Sequence, residues 1–111
     1  MDVTARQHHP ATIVSVSGSI DSLTVERLTE FLAEQIGSGR TNLVLDLAQV
    51  NFMSSAGLRA ILAAFKEVRQ PGGDLRIAAA QPGVLKVLKM AGFTNILKSF
   101  DTTDEAVASF S

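Results

Sequence analysis

The chain has 111 residues, 46% of them apolar, which is enough for one domain with one core and too little for two. Ten basic and eleven acidic residues leave a net charge of -1, so no broad field favours nucleic acid or an anionic membrane surface. No cysteine is present, which removes disulfides, thiolate chemistry and cysteine-ligated zinc. No window approaches the roughly 18 apolar residues of a membrane span. The start Met-Asp-Val-Thr-Ala-Arg lacks a basic segment followed by an apolar run, so an unexported, cytoplasmic protein without membrane insertion is expected.

Val3 to Gln7 has β-favouring residues without clean alternation and is read as an edge strand. His8-His9-Pro10-Ala11 follows as a turn, because Pro10 fixes its own φ and pushes His9 out of the helical region. Thr12 to Ser17 then alternates, with Val14 and Val16 on one face and Ile13, Ser15 and Ser17 on the other. So short a turn predicts a hairpin.

Gly18-Ser19-Ile20-Asp21-Ser22 ends that strand and opens a helix, with Asp21 or Ser22 as the capping residue. Val25, Leu28, Phe31, Leu32 and Ile36 form its apolar stripe, with Glu26, Arg27, Glu30 and Glu34 turned to water. Gly37-Ser38-Gly39 stops it. Leu43 to Leu47 is apolar on both faces apart from Asp46, as in a central strand covered on both sides. A short crossing leads to Ser54 and Ser55, where Leu58, Ile61, Leu62, Phe65 and Val68 set out a second amphipathic helix.

Gln70-Pro71-Gly72-Gly73 reads as a loop and Leu75 to Ala79 as the next strand. Pro82 suits the first position of a helix carrying Val84, Leu85, Val87, Leu88 and Met90, with Gly92 at its end. A short strand around Ile96 and Leu97 is expected within Phe93 to Phe100. Asp101 or Thr102 would then cap a last helix using Ala106, Val107 and Phe110. The order β-β-α-β-α-β-α-β-α makes a small, single-domain α/β sandwich over residues 1–111, its mixed central sheet having four to five strands with flanking helices.

The run Asp46 to Leu58, centred on Phe52-Met53-Ser54-Ser55-Ala56-Gly57-Leu58, resembles the signature of STAS domains, in particular the bacterial anti-sigma factor antagonists. Gly18-Ser19-Ile20-Asp21 resembles a second landmark of that family, and Met90-Ala91-Gly92-Phe93 a third. The resemblance implies a STAS-like fold and Ser55 as the phosphorylated residue, with Ser54 where an aspartate is commonest. It also implies a partner surface at Asp21, Ser54, Ser55, Ala56, Gly57, Leu58 and Arg59. The implied role is that of an anti-sigma factor antagonist without catalysis, cofactor or metal of its own. Unphosphorylated, it would bind an anti-sigma factor, often a GHKL-type serine kinase, and release a sigma factor; a phosphatase would restore that state. A monomer or weak dimer is expected. The alternative role within the family is a STAS subunit of a membrane transporter or other signalling complex.

The residues also have readings of their own. A serine ahead of an apolar stripe is a helix cap, worth about 1 kcal/mol over alanine, and Ser54 is assigned that part. A phosphate on Ser55 would add roughly -1.5 to -2 charges at a helix N-terminus that tolerates an anion. At an interface such a charge costs several kcal/mol, and about 3 kcal/mol is already more than a hundredfold in affinity. Ser55-Ala56-Gly57 departs from a hydrolase elbow, because Met53 stands where that motif needs glycine and the only histidines, His8 and His9, lie far upstream. Adjacent histidines in a strand point to opposite faces, which argues against a metal pair. Gly72-Gly73 lacks the context of a phosphate loop, and Asp46 suits a strand end meeting loop N–H groups.

Overall fold

The computed structural model describes residues 1–111. Five strands form one sheet in the order β1-β2-β3-β4-β5. β1 (Asp2–His8) is the antiparallel edge and turns through His9-Pro10 into β2 (Ala11–Ile20), with His8 opposite Ala11. β2 pairs parallel with β3 (Asn42–Met53), β3 with β4 (Asp74–Ala78), and β4 with β5 (Ser99–Phe100). Parallel neighbours need long returns, and here these are the helices α1 (Val25–Gly37), α2 (Ser55–Arg69) and α3 (Pro82–Met90). α4 (Thr103–Ala108) closes the chain.

Alternation along the strands sends side chains to two cores of different size. Val14, Val16, Leu43, Leu45, Leu75 and Ile77 meet Leu28 and Leu32 of α1, Ile61 and Val68 of α2, and Val84 and Leu88 of α3. On the opposite face Ala11, Ile13, Val44 and Ala78 are covered by Ala106 and Val107 of α4, with Phe100 and Phe110 at the rim. Leu43, Val44 and Leu45 are all fully buried, which is why this strand is apolar on both sides. Each such leucine contributes about 1.5–3 kcal/mol through burial. Beside α4, Arg76 packs its guanidinium 3.9 Å from the Phe110 ring centre, and its Nε donates to Asp74 at 2.9 Å.

Several boundaries differ from the sequence reading. β2 continues through Gly18 and Ser19 to Ile20, and β3 continues to Met53, where a short crossing was expected. The two extensions pair with each other through register shifts between Ser15 and Ser17 and between Gly18 and Ser19. Such irregularities re-aim side chains and break the two-residue period that a strand reading relies on. α1 starts at Val25, behind a turn, so neither Asp21 nor Ser22 is its cap. Ile96 and Leu97 do not form a strand; a 3-10 turn spans Phe93–Asn95, and the last strand is Ser99–Phe100, fixed by pairing with Ile77 and Ala78. Met90 is 79% exposed, because the buried face of α3 is carried by Val84 and Leu88. Gly92 does end that helix, at a φ of 79° that favours glycine.

Candidate functional site

β4 stops at Ala78, opposite Asp46, while β2 and β3 run on together until Ile20 faces Met53. The two overhanging strand ends carry the 21–24 turn and the start of α2 side by side. The Ser54 N–H donates to the Ile20 carbonyl at 2.8 Å, which closes the junction. Gly57 lies buried against it: a Cβ there would stand 2.8 Å from Ile20 Cγ2 and 3.0 Å from Met53 Cγ. Only glycine lets α2 seat this close to the strand ends.

The 21–24 turn is held by its own side chains. Asp21 Oδ1 accepts from the N–H groups of Leu23 at 2.9 Å and Thr24 at 3.2 Å. Thr24 Oγ1 accepts from the Asp21 N–H at 3.0 Å and donates to the Ser19 carbonyl at 2.8 Å. Asp21 is therefore a turn-forming residue half-exposed beside the serines.

At α2, Ser54 occupies the capping position with extended backbone, φ -89° and ψ 173°, and its carbonyl accepts the Leu58 N–H at 3.1 Å. The expected side-chain cap is not made. The Ser54 hydroxyl oxygen is buried and has no hydrogen-bond partner. No acidic residue stands in the first turn either, so the N–H groups of Ser55, Ala56 and Gly57 and the positive end of the helix dipole are left uncompensated.

Ser55 is the first residue of α2 and is exposed. Ala56 and Leu58 are half-buried, and Leu58 packs on the large core; Arg59 is exposed one turn beyond Ser55. The seven residues expected at the partner surface thus divide, with Ala56 and Leu58 half-buried between two extremes. Asp21, Ser55 and Arg59 present polar groups outward, whereas Gly57 and the Ser54 hydroxyl face inward. Two residues that the sequence reading did not place at the partner surface are also exposed at this end of the sheet: Leu23, 91% exposed in the turn, and Phe52, 53% exposed two residues before Ser54. Leu23 lies outside the α1 stripe, and Phe52 is the neighbour of the buried Met53, so strand alternation could have marked it as outward.

The remaining polar candidates lie elsewhere. Asp46 sits within β3 and not at a strand end; its Oδ2 accepts from Ser15 Oγ at 3.0 Å and its Oδ1 from the Ala48 N–H at 3.1 Å. His8 and His9 are exposed at the hairpin, at the opposite end of the sheet from Ser55. Beyond the end of β4, Gln81 Nε2 donates to the Ala48 carbonyl at 2.9 Å and ties the start of α3 to β3. No helix is long and apolar enough to cross a membrane.

A mixed five-strand sheet flanked by helices, with an exposed serine on the open N-terminus of one of them, defines a small single-sheet α/β domain. The family model of the STAS domain matches residues 2–106, and the chain belongs to that family. Among its relatives, BtrV of Bordetella bronchiseptica is 35% identical over 88% of this chain and 84% of its own. The anti-sigma-F factor antagonist RsfB of Mycobacterium tuberculosis is 30% identical over 95% and 85% respectively. The anti-sigma factor antagonist SpoIIAA in its unphosphorylated form shares the fold at 19% identity, with a TM-score of 0.84 over 98% of this chain and 96% of its own. Bacillus SpoIIAA in its phosphorylated form aligns at the same 19% identity, with a TM-score of 0.76 over 99% and 100%.

Proposed function

We infer that the chain is an anti-sigma factor antagonist switched by phosphorylation of Ser55. The observation that carries this reading is the state of that residue: an exposed hydroxyl on the first turn of an uncapped helix, beside a turn that Asp21 holds by its own hydrogen bonds. The names of the relatives and the two phosphorylation states of SpoIIAA support it. Unphosphorylated, this face packs on an anti-sigma factor and frees a sigma factor in the cytoplasm. The chain acts by binding and catalyses nothing itself.

A GHKL-type serine kinase, the anti-sigma factor itself, closes the cycle. The γ-phosphoryl of ATP passes to Ser55 Oγ, the hydroxyl proton leaves to a base of the kinase, and ADP departs. A phosphatase returns the hydroxyl by directing water at phosphorus, with release of inorganic phosphate. Nucleotide and its metal belong to these partners. A dianion on this face must be stripped of water when a partner packs on it, and that cost breaks the complex.

Incubation with the cognate kinase and ATP is expected to add one phosphate, located at Ser55 by mass spectrometry and absent from Ser55→Ala. Repeated modification of Ser55→Ala at another residue would sink the site. Ser55→Asp is expected to fold normally and bind the partner at least tenfold more weakly; unchanged affinity would reject the charge switch.

A further inference from the structure

Ser55 and Arg59 are four residues apart on α2. That spacing brings side chains to within about 40° around the helix and about 6 Å along it. Helical side chains lean toward the N-terminus, so Arg59 reaches back over the first turn, toward Ser55 and not away from it. An anion on the N-terminal member of such a pair and a cation on the other is the favourable polarity. Arg59 is exposed, and both ion pairs of the chain converge on Asp74, from Arg69 and Arg76, which leaves Arg59 without a carboxylate.

The surroundings push in the same direction. The α2 N-terminus has no acidic residue and no side-chain cap, and the Ser54 hydroxyl beneath it has no partner. The neighbouring negative group is Asp21, on the other side of the Ile20–Ser54 hydrogen bond, with one carboxylate oxygen already engaged by Leu23 and Thr24. A phosphate on Ser55 is repelled from that side and drawn along the helix.

We propose that Arg59 is the internal clamp for the phosphate on Ser55, a positioning role that rests on the phosphorylation reading above. The guanidinium fork takes two phosphate oxygens, and the free N–H groups of the first turn are available to the third. One modification then removes two features from the partner face, the hydroxyl of Ser55 and the free cation of Arg59. The same clamp makes the phosphorylated chain the more stable form, because the phosphate supplies the anion that α2 lacks.

The test needs no kinase. Phosphoserine is installed at position 55 during synthesis, and its second ionisation is followed by phosphorus NMR at low salt in the wild-type background, Arg59→Gln and Arg59→Lys. The expected midpoint lies below the value of about 6 of an unassisted phosphoserine. It should rise by roughly half a unit in Arg59→Gln, with Arg59→Lys between, and the difference should shrink as salt is added. The phosphate should also raise the melting temperature of the wild-type background more than that of Arg59→Gln. Equal midpoints in wild type and Arg59→Gln, with both proteins folded, would overturn the clamp and leave the switch untouched. A Ser55 that no kinase modifies would overturn the switch, while the midpoints would still report on Arg59.

Discussion

α2 and α4 start alike and are finished differently. Both are entered from an extended hydroxyl residue, Ser54 at φ -89° and ψ 173°, and Thr102 at φ -133° and ψ 157°. At α4 the Thr102 oxygen accepts the Glu105 N–H at 3.1 Å, its hydroxyl donates to the Glu105 carboxylate at 3.1 Å, and Asp104 and Glu105 add negative charge to the first turn. At α2 the corresponding hydroxyl is buried without a partner, the third residue of the helix is Gly57, and no acid is present. The short helix at the rear of the sheet is thus satisfied internally, and the long one at the front is left open. Stability has been given up at the helix end where recognition is proposed and kept at the other.

The contrast can be broken most severely at Gly57. Gly57→Val forces a branched side chain into Ile20 and Met53, and unfolding by denaturant is expected to show a loss of about 2–3 kcal/mol. A loss below about 0.5 kcal/mol would mean that α2 is not seated on the strand ends as described. Thr102→Ala removes a cap in use and is expected to cost about 1 kcal/mol. Ser55→Asp places an acid on the open first turn and should raise stability by about 0.3–1 kcal/mol, a gain that fades as salt is added. The smallest effect is expected at Ser54→Ala, within about 0.5 kcal/mol of zero, because the hydroxyl lost there makes no hydrogen bond. Equal losses from Ser54→Ala and Thr102→Ala, measured in the same denaturant series, would erase the difference between the two helix ends.

The parts legible in the sequence were those written in apolar period. The stripes of α1 and α2, the doubly buried Leu43–Leu45 and the placement of Pro82 and Gly92 at the ends of α3 all follow from spacing and local backbone preference. The extensions of β2 and β3 did not show, since Gly18 and Asn51 are poor strand formers and the register shifts hide the alternation until the two strands lie against each other. Ser99–Phe100 is a strand only because β4 is beside it. At the candidate site, the place of Ser54 and Ser55 at the start of α2 was legible, but the fate of the Ser54 hydroxyl was not: the capping position is set by the local backbone, whereas burial of the hydroxyl without a partner depends on tertiary packing.

The overhang of β2 and β3 beyond β4 also governs how this face moves. Its backbone is an extension of the central strands, and the Ser54 amide is locked to Ile20 at 2.8 Å. Exchange of that amide with solvent should require opening of the sheet itself, so the serine face belongs with the slowest part of the molecule. For the proposed partner, encounter is then docking onto a ready surface, with no waiting step for a loop to order, at a rate set by diffusion, orientation and charge.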